Sequence, residues 1–394
     1  MTSPGHPSPV PTPTDTGGSP VTRHPSPEAE AAKTVTDMRE LFDLAFKRRA
    51  SDIHLTEHTS PMLRVDGVLE PVSMAPLTRA ETKRLIYGLL TDRQKAQFER
   101  ELELDMSIDV QGLGRFRINV HLQRGSVEAA FRLVPSRVPS LHELGLPPVV
   151  AELARKPNGL VLVTGPTGVG KTTTMAAMVD LINHERRHHI IIVEDPIEYL
   201  HQNYLSIIKQ REVYSDTKSF ANALVRVLRQ DPNMIVVGEM RDLETISTAL
   251  TAAETGHLVL TTLHTPDAAQ TIDRILDVFP PHRQEEVKVQ LSGCLQGVVS
   301  QQLLPRSDAP GRVLAYEIMI ATAAVRNLIR EHATEQILTV LQTGAQHGMC
   351  TMDACIKSLY DRKLISYETA MHRMKSPAEF HMLGKPDPGK KRSA

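Results

Sequence analysis

Residues 165–172 read Gly-Pro-Thr-Gly-Val-Gly-Lys-Thr and place the tightest limit on what this chain can fold into. They match the phosphate-binding loop pattern Gly-x-x-x-x-Gly-Lys-Ser/Thr. An apolar run typical of a buried strand precedes the loop at residues 160–163, and a stretch typical of a helix follows it at residues 172–183. Glycines allow the backbone to wrap around phosphate groups, and the helix N-terminus adds positive charge there. Strand, loop and helix in this order predict a nucleoside triphosphate site.

The side chains of this loop indicate how the nucleotide would be held. Lys171 can reach the β- and γ-phosphates, and the Thr172 hydroxyl can ligate Mg²⁺. A nucleoside triphosphate and Mg²⁺ are therefore the predicted cofactors. The candidate nucleotide-binding residues are Gly165, Pro166, Thr167, Gly168, Gly170, Lys171, Thr172 and Thr173.

Composition excludes several other classes of protein. The net charge of −1 gives no general basic character, so a nucleic-acid partner is not expected. Three cysteines (Cys294, Cys350 and Cys355) form neither a disulfide framework nor a Cys-x-x-Cys zinc pair, which fits a reducing cytosol. No apolar run approaches the roughly 18 residues of a membrane span, and the N-terminus has no apolar signal core. We expect a cytoplasmic protein whose contact with a membrane is peripheral.

The pattern along the chain predicts two folded domains. Residues 1–32 are rich in Pro, Ser, Thr and Gly, which predicts a disordered tail, and a flexible basic tail is predicted at residues 381–394. Residues 33–134 combine short strands with helices and predict a small α+β domain, followed by a proline-punctuated linker at residues 135–150. In the small domain we predict helices at 35–49, 79–88 and 92–100, and strands at 52–55, 62–65, 106–110, 114–122 and 127–133.

Residues 151–380 alternate strands and helices, the pattern of an α/β domain with a parallel sheet. The strand candidates are continuous apolar runs, as expected for strands covered on both faces. They lie at residues 160–163, 189–193, 234–237 and 258–262. Helices are predicted at 217–229 and 243–254, then a strand at 313–320 and a helical C-terminal region to about residue 375.

Two acidic clusters follow strands of the predicted parallel sheet. Residues 194–198 (Glu-Asp-Pro-Ile-Glu) and residues 238–242 (Gly-Glu-Met-Arg-Asp) lie where ligands bind in such sheets, beyond the carboxyl ends of the strands. Hydrolysis of a phosphate bond needs a held Mg²⁺ and a group that orients or deprotonates water, and carboxylates serve both purposes. Each cluster alone is also compatible with a helix cap or a solvated loop.

Two histidines flank the last of these strands. His257 and His264 bracket its ends, and Thr261 and Thr262 add hydroxyl groups to an otherwise apolar run. This pattern favours a strand end that faces a site. Zinc is the alternative, but a second ligand at zinc-site spacing is missing from the sequence.

The small domain carries a group of arginines: Arg115, Arg117, Arg124 and Arg132. Spacing alone favours a solvated, charged face of a sheet. The functional alternative is a set that acts in trans, neutralising transition-state charge in a neighbouring subunit.

Taken in chain order, these motifs and several others resemble the twitching-motility ATPases, which drive type IV pilus retraction, within the secretion-ATPase superfamily. The resemblance covers about residues 35–380. The segments that carry it are 51–55 (Ser-Asp-Ile-His-Leu), 165–172, 194–198, 210–213 (Gln-Arg-Glu-Val), 238–242, 253–257 (Ala-Glu-Thr-Gly-His), 263–265 (Leu-His-Thr) and 325–331 (Val-Arg-Asn-Leu-Ile-Arg-Glu).

The resemblance implies a homo-hexameric ring in which each subunit has an N-terminal PAS-like domain and a C-terminal RecA-like P-loop ATPase domain. It implies that Lys171 and Thr172 bind the phosphates and Mg²⁺ of ATP. Glu198 would polarise the attacking water, and Glu239 would serve the magnesium site. His264, together with His257, would sense the γ-phosphate or the neighbouring subunit, and the small-domain arginines would complete the site across an interface.

The same resemblance links residues 324–331 to retraction rather than to hydrolysis. The candidate coupling residues are Arg326, Asn327, Arg330 and Glu331. Arg326 and Arg330 are four positions apart on the predicted helix, so they share a face. That polar face is either free to transmit motion or simply solvated.

The implied function is ATP-driven depolymerisation of pilin during pilus retraction, at the cytoplasmic face of the inner membrane. The implied partners are an inner-membrane platform protein of the pilus machine and a paralogous retraction ATPase. The alternatives are an accessory pilus ATPase, a type II secretion ATPase, a nucleic-acid translocase on the same core, and a regulatory subunit without activity. The sequence lacks the four-cysteine zinc module usual in extension and type II secretion ATPases, which favours retraction.

Overall fold

The computed structural model describes residues 35–377 except residues 36, 66 and 136. The predicted tails at residues 1–32 and 381–394 lie outside the described residues. Two separate sheets, one of six strands and one of seven, organise the chain. The predicted fold class, an α/β domain preceded by a small α+β domain and followed by a helical region, is confirmed.

The N-terminal domain is an antiparallel sheet with three helices. Its strand order is β3-β2-β1-β6-β5-β4. The elements are α1 (Met38–Lys47), β1 (Asp52–Leu55), β2 (Met62–Val65), β3 (Val68–Pro71), α2 (Arg79–Tyr87), α3 (Asp92–Glu101), β4 (Glu103–Val110), β5 (Gly114–Gln123) and β6 (Ser126–Leu133). Whether this arrangement is PAS-like stays a prediction.

Local side-chain chemistry determines where the helices of this domain begin. Helix α1 begins at Met38, three residues later than predicted, because the Asp37 side chain accepts a hydrogen bond from the Arg39 N–H and so caps the helix. Thr78 and Thr91 close capping boxes at the starts of α2 and α3. Strands β2 and β3 pair as a hairpin, but residue 66, and with it the turn type, lies outside the described residues.

The C-terminal domain is built on a mainly parallel sheet in the order β13-β12-β7-β11-β10-β8-β9, with only β13 antiparallel to its neighbour. Its elements as far as this sheet's last strand are α4 (Pro148–Ala154), β7 (Gly159–Thr164), α5 (Lys171–Glu185), β8 (His189–Glu194), β9 (Ile207–Glu212), α6 (Phe220–Val227), β10 (Met234–Val237), α7 (Leu243–Glu254), β11 (Leu258–Leu263), α8 (Ala268–Asp277), α9 (Pro281–Cys294), β12 (Leu295–Pro305) and β13 (Arg312–Ile320).

Both faces of this sheet are covered, as its continuous apolar strands predicted. Leu160 and Leu162 of β7 pack into a core with α6 to α9, whereas Val161 and Val163 pack on the opposite face with α4 and α5. Because β7, β8, β10 and β11 are parallel, their carboxyl ends meet at one edge of the sheet. The predicted loops with polar residues are therefore neighbours in space.

Two strands of the seven-stranded sheet, β9 and β12, were not predicted. Strand β12 carries Ser300, Gln301 and Gln302, and these polar residues interrupt the apolar run that identifies a buried strand. The structure accounts for two of them beneath the phosphate loop. Ser300 Oγ lies 2.8 Å from Thr164 Oγ1, and Gln301 Nε2 donates to Thr174 Oγ1 at 2.7 Å.

The predicted helical C-terminal region is present as α10 (Ala323–Glu331), α11 (Ile337–Thr343), α12 (Met352–Asp361) and α13 (Tyr367–Arg373). Helix α12 packs on β12 and β13 through Ile356, Leu304 and Ala315. Across residues 35–377, apart from the three omitted positions, none of the helices combines the length and the apolar character that crossing a membrane requires.

Candidate active site

The phosphate loop connects the end of β7 to the start of α5, as predicted. Gly165, Gly168 and Gly170 have φ angles of +134°, +79° and +90°, which L-residues with a side chain rarely adopt. At Gly165 there is a second constraint, because a Cβ atom would lie 2.4 Å from the carbonyl oxygen of Gln301. Strand β12 therefore presses directly against the loop and requires glycine at this position.

Lys171 is the buried cation of the loop. Its Nζ donates to the carbonyl oxygens of Gly165 at 2.8 Å and Pro166 at 3.0 Å. Burial lowers the pKa of Lys171, while the carboxylates of Glu239 and Glu198 act in the opposite direction. The ammonium group thus lies among backbone acceptors and two acidic side chains, where phosphate oxygens can take over its hydrogen bonds.

His264 connects the phosphate loop to the second acidic cluster. Its Nδ1 lies 3.4 Å from Lys171 Nζ, and its Nε2 lies 3.3 Å from Glu239 Oε2. Since the lysine ammonium can only donate, Nδ1 is the acceptor, and Nε2 carries the proton that points at Glu239. Arg241 Nε contacts the other oxygen of Glu239 at 2.8 Å. The end of β11 therefore faces the site, as Thr262 and His264 suggested from the sequence.

These groups line a cavity of about 680 Å³ between the two domains. The phosphate loop and the ends of β8, β10 and β11 form one wall, and β5 of the N-terminal domain contributes to the other. The lining residues are Arg117, Thr167, Gly168, Gly170, Lys171, Thr172, Thr173, Glu194, Asp195, Pro196, Glu198, Phe220, Gly238, Glu239, Arg241, Thr262, His264, Leu303 and Arg312.

A smaller cavity of about 240 Å³ adjoins the first and shares Arg117, Thr173 and Glu198 with it. Its remaining walls are largely apolar and come from the end of β6, the start of the linker, and Tyr199, whose hydroxyl lies 3.1 Å from Thr173 Oγ1. The two cavities therefore share a wall at the phosphate loop.

Glu194 opens the first acidic cluster and lines the cavity, although no individual role was predicted for it. It ends β8 and is only 7% exposed. Burial raises the pKa of Glu194 to about 8, the carboxylates of Glu198 and Glu212 add to this effect, and the Gln210 amide opposes it. Glu194 is therefore a neutral acid near pH 7.

The oxygen atoms around the loop fit Mg²⁺. The Thr172 hydroxyl and the carboxylates of Glu198 and Glu239 line the same cavity, and these are the ligand types that Mg²⁺ prefers. In the part of the chain that the structure describes, no group of three or more His, Cys, Asp or Glu side chains is placed to hold a metal by itself. Phosphate and water oxygens would have to supply the other ligands, as they commonly do for Mg²⁺ bound with nucleotides.

The four candidate arginines have different positions. Arg117 lines the large cavity of its own chain, and Arg132 lines the smaller one while pairing with Asp52 at 2.8 Å. Arg115 is paired with Glu212 at 3.2 Å and Asp109 at 3.1 Å, and Arg124 occupies the turn between β5 and β6 with φ +49°. The guanidinium of Arg115 is engaged within its own chain, and a trans role for it stays a prediction. A trans role for the other arginines stays a prediction.

His257 lies away from the cavity of its own chain. It precedes β11, whereas His264 follows it, so the six-residue strand separates them by roughly 20 Å. Its Nδ1 lies 3.0 Å from the Ala252 carbonyl at the end of α7, and its own carbonyl accepts from the Gly159 N–H. Assigning His257 to the same catalytic site is therefore wrong within one subunit, and contact with a neighbouring subunit stays a prediction.

The candidate coupling motif forms α10, and its polar face is less free than predicted. Arg326 donates from Nε to the Ala321 carbonyl at 2.9 Å and from Nη1 to the carbonyls of Ser292 and Gly293, which belong to the last turn of α9. The expectation of a free face is wrong for Arg326, because its guanidinium satisfies carbonyl groups that the end of a helix leaves unpaired. Glu331 and Arg330 contact Asn327 on the outer surface of α10, and Arg330 Nη1 also lies 3.5 Å from the Ser292 hydroxyl of α9.

Sequence reasoning also missed Phe220, Leu303 and Arg312, which line the large cavity. Phe220 begins α6, and the other two residues lie on neighbouring strands, β12 and β13, far from the motifs in the chain. No sequence motif around Arg312 indicates a place in the site. Arg241 lies in a recognised motif, but no role was predicted for it.

Comparison with known proteins identifies relatives across most of the chain. Residues 28–377 match the family described as type II/IV secretion system protein. The chain is 48% identical over 344 residues to the type IV pilus retractation ATPase PilT of Pseudomonas aeruginosa, covering 87% of this chain and 100% of the relative. It is 48% identical over 314 residues to a twitching motility protein of Neisseria gonorrhoeae, covering 80% and 84% of the two chains. A crystal structure of the pilus retraction motor PilT with bound ADP superimposes with a TM-score of 0.83 at 47% identity, covering 88% of this chain and 100% of that one.

Proposed function

Because the chain belongs to the type II/IV secretion system protein family, we propose that it is an ATPase motor that drives type IV pilus retraction. One observation carries the proposal: the 48% identity to a pilus retractation ATPase extends over the whole length of that relative. The ATPase part is supported further by a complete phosphate loop that shares one cavity with Glu198 and Glu239.

In this proposal the large cavity binds the phosphates of ATP, and the adjoining cavity binds its nucleoside. Backbone N–H groups of the loop and Lys171 hold the phosphates. Tyr199 and the apolar residues of the linker offer the surface that a base requires. The bound ADP of the structural relative supports nucleotide binding by this chain.

Glu198 orients and deprotonates the attacking water, because its carboxylate lines both cavities and can accept a proton. Thr172 and Glu239 would hold Mg²⁺, which when bound would neutralise charge on the nucleotide's phosphates. His264 joins Lys171 to Glu239 and so responds to what the phosphate loop contains. Arg117 brings a positive charge from the N-terminal domain to the same place.

We further propose that the chain works as a homo-hexameric ring at the cytoplasmic face of the inner membrane, where it acts on a platform protein of the pilus machine and depolymerises pilin. A paralogous retraction ATPase is a further proposed partner. An accessory pilus motor, or a type II secretion motor, remains the second candidate, because the matched family includes both kinds of secretion protein.

The catalytic assignment is tested with purified Lys171→Ala, Glu198→Gln and Glu239→Gln proteins, by steady-state hydrolysis and by binding of a fluorescent ATP analogue. Lys171→Ala should lose hydrolysis and most of its nucleotide affinity. Glu198→Gln should bind ATP but turn over at least about a hundredfold more slowly, since the amide cannot accept a proton. If only Glu239→Gln stalls turnover, the two acidic roles are reversed.

The cellular role is tested in a strain that lacks the protein. Excess surface pili without twitching support retraction, whereas the loss of surface pili contradicts it and indicates extension. Normal pili and normal twitching with a defect in protein export would indicate a secretion motor instead.

A further inference from the structure

Glu212 is a buried carboxylate at the boundary between the two domains. It ends the edge strand β9 and is only 4% exposed. From the N-terminal domain, Ser107 Oγ lies 3.2 Å from each of its oxygens, and Arg115 Nη2 lies 3.2 Å from Oε2. A charge removed from water in this way is tolerated only when it is paired and hydrogen-bonded, so this junction depends on both domains.

The same carboxylate also holds the loop that carries Glu198. The backbone N–H of Ile197 donates to Glu212 Oε2 at 3.3 Å, and Ile197 itself is only 5% exposed. Ile197 is the residue immediately before Glu198, so a shift of its peptide group moves the backbone from which the Glu198 side chain projects. One oxygen of Glu212 therefore accepts from both Arg115 of the N-terminal domain and the loop of the ATPase domain.

The position of Arg115 links the docking of the N-terminal domain to the cavity. It lies two residues before Arg117 on β5, and alternate residues of a strand share a face. When Arg115 docks on Glu212, Arg117 is directed into the large cavity. The second partner of Arg115, Asp109, is 71% exposed and lies on the adjacent strand of the same domain, so it contributes nothing across the boundary.

We propose that Glu212 is a positioning residue that ties the reactive position of Glu198 to the docking of the N-terminal domain. With Arg115 and Ser107 in place, Glu212 holds the Ile197 peptide and Glu198 faces the cavity. When the domains separate, the carboxylate loses its partners across the boundary and its hold on the loop weakens. This inference rests on the proposed role of Glu198 in activating water.

The inference is tested with Glu212→Gln and Arg115→Met in the full chain, and Asp109→Asn is the matched control because it removes the other carboxylate from Arg115. Glu212→Gln and Arg115→Met should each lower kcat by about tenfold and leave the dissociation constant for ATP within about twofold. The double variant should be no slower than the slower single variant, because both changes break one interaction. Asp109→Asn should retain the wild-type kcat.

Two further variants separate positioning from folding. Ser107→Ala removes a single hydroxyl and should lower kcat by about two- to threefold with an unchanged melting temperature. Arg115→Lys keeps the charge and should recover part of the kcat that Arg115→Met loses. Wild-type kcat in Glu212→Gln, or an equal loss in Asp109→Asn, would overturn the inference, as would a parallel fall of kcat, ATP affinity and melting temperature in all variants, Ser107→Ala included.

Glu198→Gln, measured in the same assays, separates a failure of the proposed catalytic role of Glu198 from a failure of the positioning role of Glu212. If Glu198→Gln hydrolyses ATP normally, the proposed catalytic assignment fails and this inference fails with it. If Glu198→Gln is inactive while Glu212→Gln is normal, only the positioning role of Glu212 is refuted.

Discussion

The buried carboxyl group of Glu194 should make the stability of the ATPase domain depend on pH. Its pKa is raised from 4.5 to about 8, chiefly by burial and then by the nearby carboxylates of Glu198 and Glu212, against the opposing amide of Gln210. The folded protein therefore keeps this proton up to about pH 8, whereas the unfolded chain loses it near pH 4.5. Between these values the folded state binds more protons than the unfolded state, so stability falls as pH rises through this window and changes no further above it.

The size of this change in stability follows from the pKa shift of Glu194. One pKa unit corresponds to about 1.4 kcal/mol, so the shift of Glu194 costs roughly 3–5 kcal/mol of unfolding free energy above pH 8. The variant Glu194→Gln replaces the acid with a neutral group of the same shape and has no proton to lose. It should match the wild type near pH 5 and exceed it near pH 8.5, by roughly 10 °C in melting temperature for a domain of this size.

The assay is thermal unfolding of nucleotide-free protein, followed by circular dichroism at pH 5 and pH 8.5. Other groups also titrate, such as His201, whose pKa is lowered to about 4 by burial. Because these groups titrate in both proteins, the difference in melting temperature between the variant and the wild type isolates the contribution of Glu194. Glu244→Gln, on the exposed surface of α7, is the control and should follow the wild type. Parallel pH profiles for Glu194→Gln and the wild type would refute the reasoning, because they would show that Glu194 does not hold its proton in the folded state.

The remaining predictions concern the arginines. Arg117 lines the cavity of its own chain, which favours a role in cis over the trans role that the family resemblance implies. Rings that mix Lys171→Ala and Arg117→Ala subunits should then stay inactive in an ATPase assay, and recovery of hydrolysis would instead establish the trans role. Arg326→Ala leaves carbonyls at the end of α9 unpaired and should lower the melting temperature by several degrees together with some ATPase activity. Arg330 is exposed, and its contacts are Asn327 and, at 3.5 Å, the Ser292 hydroxyl of α9, which leaves no carbonyl unpaired when the side chain is removed. Arg330→Ala should therefore keep the wild-type melting temperature and hydrolysis while twitching fails; intact twitching would remove Arg330 from the coupling mechanism.

The parts of the fold that the sequence predicted are those with local causes. The strands β7, β8, β10 and β11 agree with their predicted ranges to within one residue at each end, because each is a continuous apolar run between loops. The phosphate loop is likewise contiguous in sequence, and its glycines adopt the positive φ angles that its pattern requires. The meeting of Glu198, Glu239 and His264 followed from one general rule, that parallel strands end at the same edge.

The parts that could not be predicted depend on contacts distant in sequence. Strand β12 was missed because its polar residues serve the phosphate loop rather than a solvent face, and nothing near them in sequence indicates that partner. The polar face of α10 was predicted to be free because the α9 carbonyls that Arg326 satisfies lie more than 30 residues earlier in the chain. Which arginine of the small domain reaches the cavity depends on how the two domains dock, and spacing within β5 does not contain that information.

The docking of the domains is also what distinguishes this site from an isolated phosphate loop. The loop, Glu198 and Glu239 come from one domain, and Arg117 comes from the other, yet all of them line one cavity. A ligand that contacts both walls binds more tightly to the closed arrangement than to an open one, and a difference in affinity between two states is what shifts their populations. Because such coupling is reciprocal, any contact that holds the domains apart weakens nucleotide binding. Hydrolysis removes the γ-phosphate and with it part of the contact between the walls. In the function we propose, that loss is the point at which chemical energy becomes domain movement.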